Sequence, residues 1–168
     1  MSGKTVGLRM NYGYAGCYAR QPDMVIATRP NVGTAVIPFG AVVMQANDGV
    51  KLSDGTLTDA TFVGIAAQQI QTGSSYFAQN GAGEYQVNDP VSCFQVGRIN
   101  VKVASGTPAL YGDVYVRITA DTGKAVGDIE ARSDNDSGKC VKLTSCQFGG
   151  PKDANGICEL VIFTGHGA

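Results

Sequence analysis

The stretch Gly97-Arg98-Ile99-Asn100-Val101-Lys102-Val103 alternates polar and apolar residues without a break. Successive side chains of a strand point to opposite faces, so Ile99, Val101 and Val103 share a core face and Arg98, Asn100 and Lys102 share the other. A second run, Val114-Tyr115-Val116-Arg117-Ile118, sets Val114, Val116 and Ile118 opposite Tyr115 and Arg117. No window of about eleven residues keeps a helical stripe. The chain holds eighteen Val and nine Ile against six Leu. Leu keeps its rotamer freedom in a helix and β-branched residues do not, so this balance favours strands.

Further apolar runs read as strands between turn signals. They are Val36-Ile37-Pro38-Phe39-Gly40-Ala41-Val42-Val43-Met44, Phe62-Val63-Gly64-Ile65-Ala66-Ala67, Tyr85-Gln86-Val87, Pro90-Val91-Ser92-Cys93-Phe94, Cys140-Val141-Lys142-Leu143 and Glu159-Leu160-Val161-Ile162-Phe163. Asn47-Asp48-Gly49 and Ser53-Asp54-Gly55 are turns, and the polar, Gly-rich stretch 69–84 is a surface loop. The 23 glycines among 168 residues fit many tight turns. Phe39-Gly40-Ala41-Val42 and Tyr111-Gly112-Asp113-Val114 share an aromatic-Gly-x-Val idiom, which is read as turn grammar rather than duplication. The expected class is all-β, a compact β-sandwich or β-barrel (jelly-roll-like), with helix below about 15% against a usual ~30–35%.

Residues 1–35 differ from the rest. Lys4, Arg9, Arg20 and Arg29 stand against Asp23 alone, so this segment is +3 and the remainder −4. Tyr12, Tyr14 and Tyr18 cluster among small residues, with no sustained periodicity. The segment reads either as an irregular first strand and loop, or as an extended N-terminal arm that lies on a partner. The division adopted is an arm over 1–35 and a β-barrel or sandwich body over 36–168. Tyr gives large contact area at low entropy cost, and Arg is the other favoured interface residue. The expected contact residues are therefore Arg9, Tyr12, Tyr14, Tyr18, Arg20 and Arg29. On this reading, loss of residues 1–30 leaves the body folded.

Several function classes are disfavoured. A net charge of −1 gives no general field for nucleic acid. No apolar run nears the ~20 residues that span a bilayer, so no membrane partner is expected. Met1–Val6 lack the apolar core of a secretory signal, and synthesis in a cytoplasm is expected. Cys17, Cys93, Cys140, Cys146 and Cys158 include no C-x-x-C pair, so neither a metal nor any other cofactor is expected. Asp134-Asn135-Asp136-Ser137-Gly138 begins like a calcium loop, but Ser145 stands where the bidentate Glu is required. His166 is the single imidazole and sits in the C-terminal tail, where it is poorly held as a general base. The expectation is a protein that is not an enzyme.

The order of motifs is familiar. An arm of small residues precedes Ile37-Pro38-Phe39-Gly40-Ala41-Val42-Val43, then Phe62-Val63-Gly64-Ile65-Ala66 and Tyr85-Gln86-Val87-Asn88-Asp89-Pro90-Val91. Gly97–Val103 and Leu110-Tyr111-Gly112-Asp113-Val114-Tyr115-Val116-Arg117 follow. Over about residues 35–163 this order resembles the structural cement, or head decoration, proteins of tailed bacteriophages. The resemblance implies a virion protein made in the host bacterial cytoplasm that binds the outside of the capsid. There it would cement neighbouring major capsid subunits, as a homo-oligomer, with no catalytic residues. The alternative is a glycan- or host-surface-binding β-sandwich of a phage particle, using Tyr76, Tyr85 and Tyr115 in the absence of Trp.

Overall fold

The computed structural model describes residues 11–68, 83–132 and 138–163, with the backbone alone at 21–23. The described residues form eleven strands, one short 3-10 turn and no α-helix. In chain order the strands are β1 (Tyr18–Pro30), β2 (Ile37–Pro38), β3 (Val42–Ala46), β4 (Gly49–Leu52), β5 (Phe62–Ala66), β6 (Glu84–Tyr85), β7 (Pro90–Ser105), β8 (Asp113–Arg117), β9 (Ile129–Glu130), β10 (Cys140–Phe148) and β11 (Ile157–Ile162). The 3-10 turn, Asp59–Thr61, is closed by a reciprocal cap in which Thr58 and Thr61 satisfy each other's backbone N–H.

Strand β7 organises the molecule. Its later part pairs antiparallel with β11, from Gly97↔Ile162 to Lys102↔Ile157, and parallel with β9 at Val103↔Ile129. β9 pairs with β8, β8 with β10, and β10 with β11, so the circuit closes into a barrel. The alternation at 99–103 does what its pattern requires: Ile99, Val101 and Val103 are buried with Val114, Val116, Leu143, Phe148, Leu160 and Ile162. Burying each such side chain fully contributes about 1.5–3 kcal/mol.

The earlier part of β7 carries β5 at Phe94↔Ile65 and Cys93↔Ala66, and β5 continues to β3 and β4. Between the two parts lies Gly97, whose φ of +115° suits glycine where the strand changes partners. Here alternation feeds two cores. Val42, Met44, Ile65 and Phe94 join the barrel core, while Val43, Ala66, Val91 and Cys93 join a second cluster with Ile37, Val50 and Tyr85. A strand buried on both faces must be apolar throughout, which is why Val42-Val43-Met44 has no polar break.

Of the segment 1–35, residues 18–30 form β1, paired antiparallel with β7 from Tyr18↔Ile99 to Pro30↔Pro90. Register shifts fall between Tyr18 and Arg20, Arg20 and Val25, and Val25 and Ile26. Met24 and Ile26 pack against the barrel core. A bridge from Asn31 to Val50 then ties the end of β1 to β4.

Two residues that alternation sends outward are not in water. Asn100 and Arg117 are both buried. Arg9, Tyr76, His166 and the stretch Asp134–Ser137 lie outside the described residues. Among the described residues no helix is long and apolar enough to cross a membrane, and no group of His, Cys, Asp or Glu is placed to hold a metal ion.

Candidate functional site

Residues 11–17 cross the outer face of the barrel and cover Asn100. The Tyr12 N–H donates to Asp153 Oδ2 at 2.9 Å, and Asn100 Nδ2 donates to the Tyr12 carbonyl at 2.7 Å. Gly16 N–H donates to the Asn100 carbonyl, and Asn100 N–H to that of Cys17, both at 2.8 Å. Gln68 N–H reaches the Gly16 carbonyl at 2.8 Å, and the Cys17 thiol donates to Gln68 Oε1 at 2.6 Å. This approach needs small residues: a Cβ on Gly16 would lie 2.8 Å from Gly40 N. Burial pushes the Asp153 carboxyl up, but N–H donors from Ile157, Tyr12 and Asn155 outweigh it and hold the group below its ordinary value.

Beside this crossing, Glu159 of β11 is 4% exposed and accepts from two arginines. Arg20 Nε lies 3.0 Å from Oε2, and Arg98 Nη1 bonds Oε1. Gly149 leaves the space, since a Cβ there would fall 2.6 Å from Glu159 Oε1. Two cations thus share one carboxylate, leaving a surplus positive charge. The Arg20 side chain remains 69% exposed, so solvent screens its pair and the net contribution is small.

Arg20 and Arg98 also rim a groove of about 370 Å³, walled by Val96, Gly97, Val161, Ile162 and Phe163. It opens where β1 breaks register with β7 and β11 ends.

The expected contact residues that are described do not form one patch. Tyr14 is 77% exposed. Tyr18 is partly exposed, its ring centroid 5.8 Å from that of Phe94. Tyr12 is half-buried and held by its backbone, and Arg20 is paired to Glu159. Arg29 is exposed and donates to the Thr28 carbonyl at 3.2 Å. Register sets Tyr18 opposite Ile99 and Arg29 opposite Val91, about 26 Å apart along β7 at ~3.3 Å per residue. Sequence reading did not single out Glu159, Arg98 or Asn100 as part of a site. Glu159 lies 61 and 139 residues from its arginines, and no local signal announces such a pairing.

Other candidate chemistries fare differently. Tyr85 is buried and donates its hydroxyl to the Ala67 carbonyl at 2.6 Å, so its ring is not presented to a sugar. Burial pushes the Cys93, Cys146 and Cys158 thiols up to about 12, against thiolate nucleophilicity at neutral pH.

A family model, Structural cement protein (E217 gp24/Pam3 gp6), matches residues 3–163. The chain belongs to this cement family. The match takes in the segment crossing the barrel, β1 and the barrel itself. Among solved structures, a chain of "The capsid of Myoviridae Phage XM1" superposes with a TM-score of 0.70. It shares 18% identity and covers 97% of this chain and 98% of that one, so the two share a fold. No protein with a curated description matches the sequence. Cement-family membership makes this an associated structural protein of the phage capsid.

Proposed function

We propose that the protein binds the outer surface of a phage capsid and cements neighbouring major capsid subunits, stabilising the head without catalysis. The observation that carries this reading is the family match over residues 3–163, which spans the whole described sheet. Mechanistically, each copy bridges two or more subunits, so contacts that are modest singly become strong when linked. The capsid-contact residues are Arg9, Tyr12, Tyr14, Tyr18, Arg20 and Arg29. Of these, Tyr14 and Arg29 present exposed side chains from a hydrogen-bonded backbone, so little ordering entropy is lost on contact. The protein is made in the host cytoplasm, acts as a homo-oligomer on the virion exterior, and engages neither nucleic acid nor membrane.

Co-sedimentation with undecorated heads tests this. The full chain is expected to saturate the heads and raise their resistance to heat. Tyr14→Ala with Arg29→Ala is expected to lower occupancy, with the largest difference from the unaltered chain at low salt, where the Arg29 charge is least screened. A full chain that stays in the supernatant at every salt concentration overturns the reading.

A further inference from the structure

Tyr111 adopts a φ of +61°. Gly112 N–H donates to the Ala109 carbonyl at 2.9 Å, so residues 109–112 form a tight turn with Tyr111 at its third position. A type II turn needs positive φ there, and glycine or asparagine normally supplies it. A bulky aromatic in that conformation is strained. The turn is nevertheless fixed, because Tyr111 N–H donates to the Phe148 carbonyl at 2.9 Å and Phe148 N–H to that of Gly112 at 3.0 Å. The fold gains little from the ring: Tyr111 is 70% exposed, and neither aromatic pair among the described residues includes it. Leu110 beside it is 59% exposed, and residues 104–112 carry no charge. The result is a rigid, uncharged, apolar knob. Strain held without internal return points to a contact outside the folded chain.

The groove rimmed by Arg20 and Arg98 is its chemical complement. It offers aliphatic walls at Val96, Val161 and Ile162 and an exposed ring at Phe163. Its guanidinium groups are held by Glu159 and exceed it in charge. Arginine binds the face of an aromatic ring, so an uncharged aromatic is a better occupant than an aliphatic knob or a lysine. The groove volume is in the range that accepts a small organic group.

We infer that the Leu110–Tyr111 knob of one copy seats in the Arg20/Arg98 groove of a second copy, joining copies head to tail. This rests on the homo-oligomer in the function proposed above and names its interface. Knob and groove are different patches, so the contact is heterologous, and an open chain of copies keeps one free knob and one free groove at its ends until a ring closes.

Light scattering on three full-length proteins, without heads, tests it. The wild type is expected to exceed the monomer mass. Tyr111→Gly and Val161→Asp are each expected to weaken self-association about tenfold or more. Tyr111→Gly relieves the strained φ, so its thermal midpoint is expected to stay level or rise, which separates lost contact from lost fold. Phe163→Ala serves as a second groove variant if Val161→Asp misfolds. An equimolar mixture of the knob and groove variants is expected to form a dimer, since one intact knob faces one intact groove. A monomeric wild type, an oligomeric Tyr111→Gly, or a mixture that stays monomeric each overturns the inference. Head binding by a monomeric wild type would leave the cementing role standing while removing this interface.

Discussion

Arg117 and Glu130 face each other with both side chains fully buried, Nε 2.6 Å from Oε1. Lys124 Nζ lies 3.8 Å from the second carboxylate oxygen, and Arg117 Nη1 donates to the Thr119 carbonyl at 3.3 Å. Removing one partner breaks a pair held wholly out of water. Glu130→Ala is expected to cost about 3–5 kcal/mol, whereas Arg117→Met with Glu130→Leu recovers most of it. Denaturant unfolding of the single and double variants checks this. Equal losses in both would assign the cost to packing instead.

Asp54 carries a pH dependence. The Lys51 hydrogen bond, then those from the Thr56 side chain and backbone, hold its carboxyl at about 2 against an ordinary 3.8. The folded state therefore favours the ionised form. This contribution is present above the ordinary value and is lost as pH falls from about 4 to about 2. Asp54→Asn is expected to flatten that part of the profile. Thermal midpoints across this range, for both proteins, provide the measurement.

Thiol reactivity is expected to divide the five cysteines. Cys93, Cys146 and Cys158 are buried, while Cys17 and Cys140 are partly exposed. Native alkylation at neutral pH should modify Cys17 and Cys140 alone, and unfolding should release the other three. Peptide mass spectrometry reads the sites directly. Native labelling of Cys158 would contradict the closed barrel.

The pairing of β1 with β7 changes what truncation should do. Removing residues 1–10 leaves all eleven described strands in the chain and serves as the reference. Removing residues 1–30 bares one edge of β7 and withdraws Met24 and Ile26 from the core. A loss of about 2–5 kcal/mol is expected, a large share of a typical ~5–15 kcal/mol total. Far-UV circular dichroism with urea titration compares the two truncated proteins.

Gly40→Ala is expected to loosen the segment that crosses the barrel. Gly40 has a φ of +79°, and a Cβ there would lie 2.5 Å from Ala15 Cβ. A cost of about 1–3 kcal/mol is expected, with new protease cleavage within residues 11–17. Unchanged cleavage would show that the segment can shift without detaching.

The strands at 99–103 and 114–116 were legible because each has one buried face and so obeys a period of two. The run at 42–44 was legible as a buried strand, but its membership of two cores was not, since an apolar run looks the same whichever core each residue joins. Residues 18–30 hid their strand character because three register shifts break its periodicity. β7 read as two strands because Gly97 interrupts it, whereas the chain continues through that glycine and changes neighbours. Barrel closure depends on β7 meeting β11 and β9 far along the chain, which local patterning does not encode. For the same reason the Glu159 pairings were invisible, and so was the conformation of Tyr111, which only backbone geometry reveals.

Strand β7 bonds to β1 from Pro90 to Ile99, to β5 over its earlier part and to β11 and β9 over its later part. Inter-strand bonds run across the strand direction, so tension along β7 loads many of them together in shear. Peeling from a free end would instead break them one by one. In the cementing role proposed above, β7 would act as a tie rod, passing load between the barrel and the β3–β5 layer without unzipping either.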